Sequence, residues 1–454
     1  IWFRFLALFV QSTSLAFALL LAVVLLGIAA GGLAAGAWLR RTPGAAQYVQ
    51  PMLLAAGALT LATYATFGSV GGLEAQSSRA ARIFGLAFFL TFPVSLLSGA
   101  LFTLLAQRAH PEGGSEARTA GAFTLANTLG ALVGSLLGGF VLLPAIGVER
   151  SLVVLALAYL VTAALVPASA PSAFTRAAGG AALALLAFSF ALFPFGSMEQ
   201  RYFAAVGRRF GADGSRIIGS REGLTETLIY MRRDFGFNPP EFRLVTNGFS
   251  MSGTDITAQR YMGLYAWWPA AIHENLRRTL LISYGCGTTA RALTQVPGVE
   301  RIDVVDISRE ILEASAIVHP AGRNPLDDPR VRVHVEDGRQ FLLATRERYD
   351  LITGEPPPPR AAGVVSLYTR EYFQLLRSRL AAGGIVTYWL PVDQLLVPDT
   401  RAILAAFCDA FEDCSLWNGA AFNWMLVGTN GRAAPAGAGH FRALWSDAAL
   451  GPTL

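Results

Sequence analysis

The chain has 454 residues, 53% of them hydrophobic and only 15% charged, which is too apolar for an entirely soluble protein. All 36 basic residues are arginine, so P-loop, pyridoxal Schiff-base and lysine general-base chemistry are excluded. The formal charge of +5 contains no arginine cluster that points to nucleic acid. Cys286, Cys408 and Cys414 are too few and too scattered for a disulfide framework, and as buried or incidental thiols they fit a reducing compartment. Five isolated histidines give no ligand spacing, so no metal is expected.

Six apolar runs fill the first part of the chain, at 15–39, 51–70, 83–105, 119–143, 152–166 and 178–195. Most reach the ~20 residues that span a bilayer. The sequence starts at Ile1 within an apolar stretch, so a further upstream span is expected, while no segment has the form of a cleaved signal peptide. Gly130, Gly134 and Gly138 recur every four residues and predict close helix approach on one face, with Asn127 one turn earlier. The arginines flanking the runs favour the side of Arg79, Arg82, Arg150, Arg201, Arg208 and Arg209 slightly, which places the remainder of the chain in the cytoplasm.

From residue 198 the pattern changes. Residues 225–233 and 241–246 are β-rich, and Asn247-Gly248 between apolar runs predicts a hairpin. Strands near 279–284, 301–306, 330–335, 349–354, 384–390 and 423–428 then alternate with helices near 288–295, 308–317, 339–347, 369–381 and 399–412. That alternation predicts a doubly wound, Rossmann-like α/β domain with a parallel sheet. The expected organisation is a helical membrane domain over 1–197, a β-rich unit over 198–262 and the α/β domain over 263–454.

Chemistry concentrates at the expected strand ends. Tyr284-Gly285-Cys286-Gly287 follows the first α/β strand and opens a helix at Thr288, where glycines let backbone approach a ligand and the helix start favours anionic groups. Asp306 ends the next strand, where a carboxylate accepts ribose hydroxyls, and Ile307 follows it. Asp337-Gly338 after the third strand is placed to meet an adenine amino group. The alternative is an ordinary set of α/β loops.

These residues, together with Asn247-Gly248, Tyr261, Tyr349-Asp-Leu-Ile-Thr-Gly-Glu355 and Ser366-Leu-Tyr-Thr369, resemble the spermidine synthases over 221–391. The closest likeness is to their polytopic membrane-fused relatives, through Asn127-Thr-Leu-Gly130, the run 139–147, and Trp2 with Arg4. The resemblance implies a class I methyltransferase-type fold, decarboxylated S-adenosylmethionine as co-substrate and a small amine acceptor. It assigns Gly285, Gly287, Thr288, Asp306, Ile307, Asp337 and Gly338 to the nucleoside, Tyr261 and Tyr368 to the acceptor, and the general-base position to Glu355.

Three departures stand out. The second acid of the family's D-x-x-D loop falls at Pro358 within Pro356–Pro359, Met262 replaces a histidine, and Ser308 replaces a second acid. Putrescine is therefore a doubtful acceptor. Three functions are open on the sequence: an aminopropyltransferase of polyamine type, an S-adenosylmethionine-dependent methyltransferase, and a catalytically degenerate scaffold serving protein partners in a membrane complex. Each sits in a bacterial inner membrane with a cytoplasmic soluble part.

Overall fold

The apolar runs fold as helices, and the later segments fold as two sheets. The computed structural model describes residues 1–10, 13–70, 78–109, 116–167, 172–361, 363–431, 436–448 and 450–451. They fall into two units, Ile1–Val206 and Gly207–Leu454.

The first unit contains α1 (Trp2–Val10), α2 (Ser14–Arg41), α3 (Val49–Val70), α4 (Arg79–Arg108), α5 (Glu116–Leu136), α6 (Leu143–Leu165) and α7 (Ala173–Ala191). Among the described residues, five helices are long and apolar enough to cross a membrane, against six expected runs. The difference arises because the fourth and fifth runs join into one stretch, Ala120–Leu165, of 46 residues. At 1.5 Å per residue that is roughly twice a 30 Å hydrocarbon core. It breaks at Gly147, whose φ of 74° is unavailable to a helix. Just past the break, the Glu149 carboxylate accepts bonds from the Tyr64 hydroxyl and from the Gly196 and Met198 amides.

The close helix approach is not where the glycine repeat of α5 predicts it. A Cβ at Gly130, Gly134 or Gly138 would meet nothing within 4 Å. Instead α2 and α4 touch backbone to backbone: a Cβ at Gly31 would collide with the Leu96 carbonyl, and one at Gly99 with the Ile28 carbonyl. Spacing alone locates small residues on a helix face; which face has a neighbour is a tertiary fact.

α8 (Ala204–Phe210) contains the boundary between the two units. A four-stranded antiparallel sheet follows, β1 (Arg216–Glu222), β2 (Thr227–Phe235), β3 (Asn238–Thr246) and β4 (Phe249–Gly253), in sequential order. Asn247 and Gly248 both take positive φ, 48° and 74°, and Thr246 pairs with Phe249, so the expected two-residue hairpin is present. α9 (Ile256–Ile272) leads into the larger sheet.

That sheet comprises β5 (Arg278–Ile282), β6 (Arg301–Asp306), β7 (Val331–Val335), β8 (Tyr349–Gly354), β9 (Leu380–Pro391), β10 (Ser415–Ala420) and β11 (Asn423–Thr429). Its order is β10-β11-β9-β8-β5-β6-β7. The pairs among β5 to β9 are parallel as expected, but β11 runs antiparallel to both β9 and β10. Between its strands lie α10 (Thr288–Gln295), α11 (Arg309–Glu313), α12 (Ser315–Val318), α13 (Gly338–Ala344), α14 (Arg370–Arg379) and α15 (Val397–Ala410), and α16 (Ala438–Trp445) follows.

Alternating residues of the central strands feed two cores. Leu281, Ile302, Val304 and Leu351 pack with α10 to α12, and Leu280, Ile282, Val305 and Ile352 pack with α13 to α15. Burial on both faces is the doubly wound arrangement, and it leaves the carboxyl ends of the parallel strands as the edge where loops meet a ligand.

One expectation is overturned. Cys408, near the end of α15, is disulfide-bonded to Cys414, just before β10, while Cys286 is free and buried. The two stand at a sequence separation of 6, and the turn from helix to strand folds them together, which a linear cysteine count does not register.

Candidate active site

The glycine loop is held from both sides. β5 ends at Ile282, and Ser283 takes φ 77°, a conformation costly for a side chain with a Cβ. Gly285 and Gly287 follow at φ 57° and 77°. At Gly287 a Cβ would strike the Tyr284 hydroxyl, so glycine is required there twice over. From β4, the Ser252 hydroxyl accepts the Cys286 N–H at 3.1 Å, and the Gly253 carbonyl accepts the Thr288 hydroxyl at 3.2 Å. Behind the loop, His319 Nε2 lies 2.7 Å from the Cys286 carbonyl. Burial pushes the His319 pKa down, so the ring is neutral and Nε2–H is the donor.

Asp306 ends β6 and is buried. One oxygen accepts the Tyr284 N–H at 2.7 Å and the other the Ser308 N–H at 2.8 Å. Burial raises its pKa, while the Ser308, Tyr284 and Gly285 amides oppose that rise. Ile307 beside it is 55% exposed, an apolar surface next to a polar anchor. After β7, Asp337 caps α13 by accepting the Arg339 and Gln340 amides at 3.0 and 2.9 Å. A Cβ at Gly338 would come within 2.6 Å of Ile282, so this turn packs tightly against the end of β5.

Glu355 follows β8, whose neighbour is β5, and its N–H donates to the Ile282 carbonyl at 3.2 Å. Its carboxylate accepts the Thr289 hydroxyl. Desolvation raises the Glu355 pKa to about 7, only partly offset by the Thr289 bond. Tyr261 and Tyr265, one turn apart on α9, have phenol pKa values pushed well up by burial and then by the negative charge of Glu355. Tyr368 is buried and donates to the Pro356 carbonyl at 3.2 Å, fixing the start of the proline run.

The residues expected for the nucleoside thus lie at the carboxyl ends of β5, β6 and β7, and Glu355 lies at the end of the adjacent β8, with Tyr261 and Tyr368 beside it. Met262 and Ser308, two of the three departures, are buried; the Ser308 hydroxyl accepts the Ile311 N–H as the cap of α11. Sequence reasoning missed Thr289, Ser252, His319 and Tyr265. Only Tyr265 carried a signal, as it stands one turn after Tyr261 on α9; the others reach the site from separate elements. Among the described residues no group of three or more His, Cys, Asp or Glu is arranged to hold a metal ion.

Residues 259–390 match the spermine/spermidine synthase domain. The chain is 28% identical over 385 residues to a polyamine aminopropyltransferase of Mycobacterium tuberculosis, covering 79% of this chain and 70% of that protein. It is 31% identical over 142 residues to one of Clostridium perfringens, covering 30% of this chain and 50% of that protein. Among solved structures, a spermidine synthase in complex with the transition-state analogue AdoDATO aligns at TM-score 0.43 and 17% identity, over 48% of this chain and 75% of that one. The chain is similar to spermidine synthases over the matched domain, and apolar helices precede it.

Proposed function

We propose that this chain is a membrane-attached aminopropyltransferase that uses decarboxylated S-adenosylmethionine as co-substrate and an amine as acceptor. The observation that carries the reading is Glu355: a carboxyl with a pKa of about 7 at the mouth of β8, one strand from the glycine loop. A base whose pKa lies near the working pH is suited to deprotonate an attacking ammonium. The amine nitrogen then bonds to the propyl carbon next to the sulfonium, the carbon–sulfur bond breaks, and the sulfur keeps the electron pair as a neutral thioether. Glu355 keeps the one proton taken from the ammonium, and the product nitrogen is left as a secondary ammonium. Asp306, Ile307, Asp337 and the loop of Gly285, Gly287 and Thr288 hold the nucleoside in this reading, and Tyr261 and Tyr368 line the acceptor side. Methyl transfer from S-adenosylmethionine would need no proton acceptor of this kind for many substrates, so it ranks second among enzymatic readings.

The apolar helices of the first unit support insertion in a bacterial inner membrane, and a donor made in the cytosol supports a cytoplasmic second unit. A non-enzymatic scaffold with protein partners is favoured by one specific observation, the Cys408–Cys414 disulfide, because such bonds persist in oxidising compartments. The test is Glu355→Gln in the full-length protein. Turnover should fall about 10²–10⁴-fold while methylthioadenosine binding, measured by calorimetry, is unchanged, and the wild-type rate should rise with pH through about 7. Wild-type turnover by the variant sinks the reading, and so does failure of the native protein to bind the nucleoside.

A further inference from the structure

Resting on the transferase reading above, we infer that Thr289 is a positioning residue for Glu355, whose single hydroxyl proton changes partner between the Glu355 carboxylate and the Met262 carbonyl as Glu355 gains or loses a proton. Thr289 is buried in the first turn of α10, directly after Thr288. In the apolar helices, Thr60, Thr91 and Thr162 turn their hydroxyls back to the carbonyl four residues earlier. Thr289 reaches two other elements instead. It donates to the Glu355 carboxylate just past β8, and it lies 3.3 Å from the Met262 carbonyl of α9.

A hydroxyl has one proton to give and lone pairs to receive. With Glu355 ionised, that proton goes to the carboxylate in a charge-assisted bond. The Met262 carbonyl lies inside α9, where the helical ladder supplies it with a donor, so it loses little when Thr289 turns away. With Glu355 protonated, the carboxyl becomes a donor. Its O–H turns to the Thr289 oxygen, and the Thr289 proton turns to the Met262 carbonyl. Both protonation states therefore keep Thr289 and Glu355 bonded to each other.

The same bond refers the base to the glycine loop. The Glu355 N–H donates to the Ile282 carbonyl at the end of β5, and its carboxylate is held by α10, which starts from Gly287. Main chain and side chain are thus tied to one strand–loop–helix unit. The groups that face Glu355 from α9 are Tyr261 and Tyr265, phenols with pKa values pushed well up, so they stay neutral while it titrates. Around them, the Cys286 thiol is pushed up to about 12, Tyr368 adjoins Tyr265, and Asp255 caps α9. Burial raises the Glu355 pKa, and the Thr289 bond opposes the rise. Removing that bond takes a partner from the ionised form, so the pKa must climb further.

The experiment uses full-length protein in detergent and compares melting midpoints with and without Glu355→Gln, between pH 4.5 and about 9. In the native background the stabilisation by Glu355→Gln should grow with pH and level off near pH 7. In Thr289→Val it should level off about one unit higher, the loss of one bond to a charged group. Thr289→Ala serves where valine does not fold. Thr289→Ser keeps the hydroxyl and should level off where the native protein does. A threonine that only packs would lower all midpoints alike and leave the levelling pH in place. Release of methylthioadenosine from decarboxylated S-adenosylmethionine, with butylamine as the probe acceptor, should fall about fivefold at neutral pH in Thr289→Val and recover about two units higher. A levelling pH that Thr289→Val and Thr289→Ala leave unchanged overturns the inference, as does a shift that Thr289→Ser shares. Where butylamine gives no turnover, the melting comparison alone decides the inference. Absence of methylthioadenosine binding removes the transferase reading itself.

Discussion

Replacing Glu355 by Gln should stabilise the second unit while abolishing turnover, and the size of the effect can be worked from its titration. The folded-state pKa of about 7 stands above the ordinary glutamate value of 4.5. Folding thus holds the proton more tightly than the unfolded chain does. A carboxyl of this kind costs nothing below pH 4.5, where both states are neutral, and destabilises progressively as pH rises to 7. Above that the cost is constant, about 3 kcal/mol at most by the linkage of 1.36 kcal/mol per unit. Glutamine keeps an oxygen to accept the Thr289 hydroxyl and carries no charge to desolvate. The variant should therefore melt like the native protein near pH 4.5 and about 5 °C or more higher at pH 8.5, by the usual relation of free energy to midpoint. Tryptophan fluorescence is a suitable probe, because Trp267, Trp268, Trp389, Trp417, Trp424 and Trp445 all belong to the second unit, against Trp2 and Trp38 in the first. Equal midpoints at pH 8.5 would mean that Glu355 is not desolvated, and the argument for a poised base would fall with it.

Asp306→Asn should weaken methylthioadenosine binding by roughly 1–3 kcal/mol in a calorimetric titration, because asparagine offers one acceptor oxygen where the Tyr284 and Ser308 amides need two. An unchanged dissociation constant would remove Asp306 from the site. The cytoplasmic placement proposed above requires Cys408 and Cys414, bonded in the structure, to be dithiol in growing cells, so acid quenching followed by alkylation under denaturing conditions should modify both. Protection of the pair before reduction would place the unit in an oxidising compartment and favour the scaffold reading.

The inner parallel strands β5, β6 and β8 were legible because each is a short, largely buried apolar run; with the more exposed edge strand β7 they begin and end within two residues of their expected bounds. The antiparallel end of the sheet was not. β10 is a short edge strand, Ser415-Leu-Trp-Asn-Gly-Ala, with polar and glycine residues that give no alternation, and its turn uses Ala421 at φ 52° in place of a glycine signal. The turn before β10, from α15, hides the Cys408–Cys414 bond. In the helices, the repeat at Gly130 was visible but unpartnered, whereas Gly27 and Gly31, also four apart, make the real contact.

At the site, sequence gave residue type and strand position, but hydrogen-bonding capacity only emerges from the fold. Asp306 illustrates the difference. An ionised carboxylate has about four lone-pair sites. Two of them accept the Tyr284 and Ser308 amides, and the Gly285 amide adds a further favourable contact with the charged form. A carboxylate so engaged has room for about one ribose hydroxyl rather than the pair expected from its position at the strand end. The Tyr284 and Gly285 amides it holds belong to the glycine loop, so in the proposed reading Asp306 would shape the nucleoside's place as well as touch it. Nucleoside affinity should accordingly depend on Asp306 through the loop's geometry, and the second hydroxyl must find another acceptor along the edge formed by β5, β6 and β7.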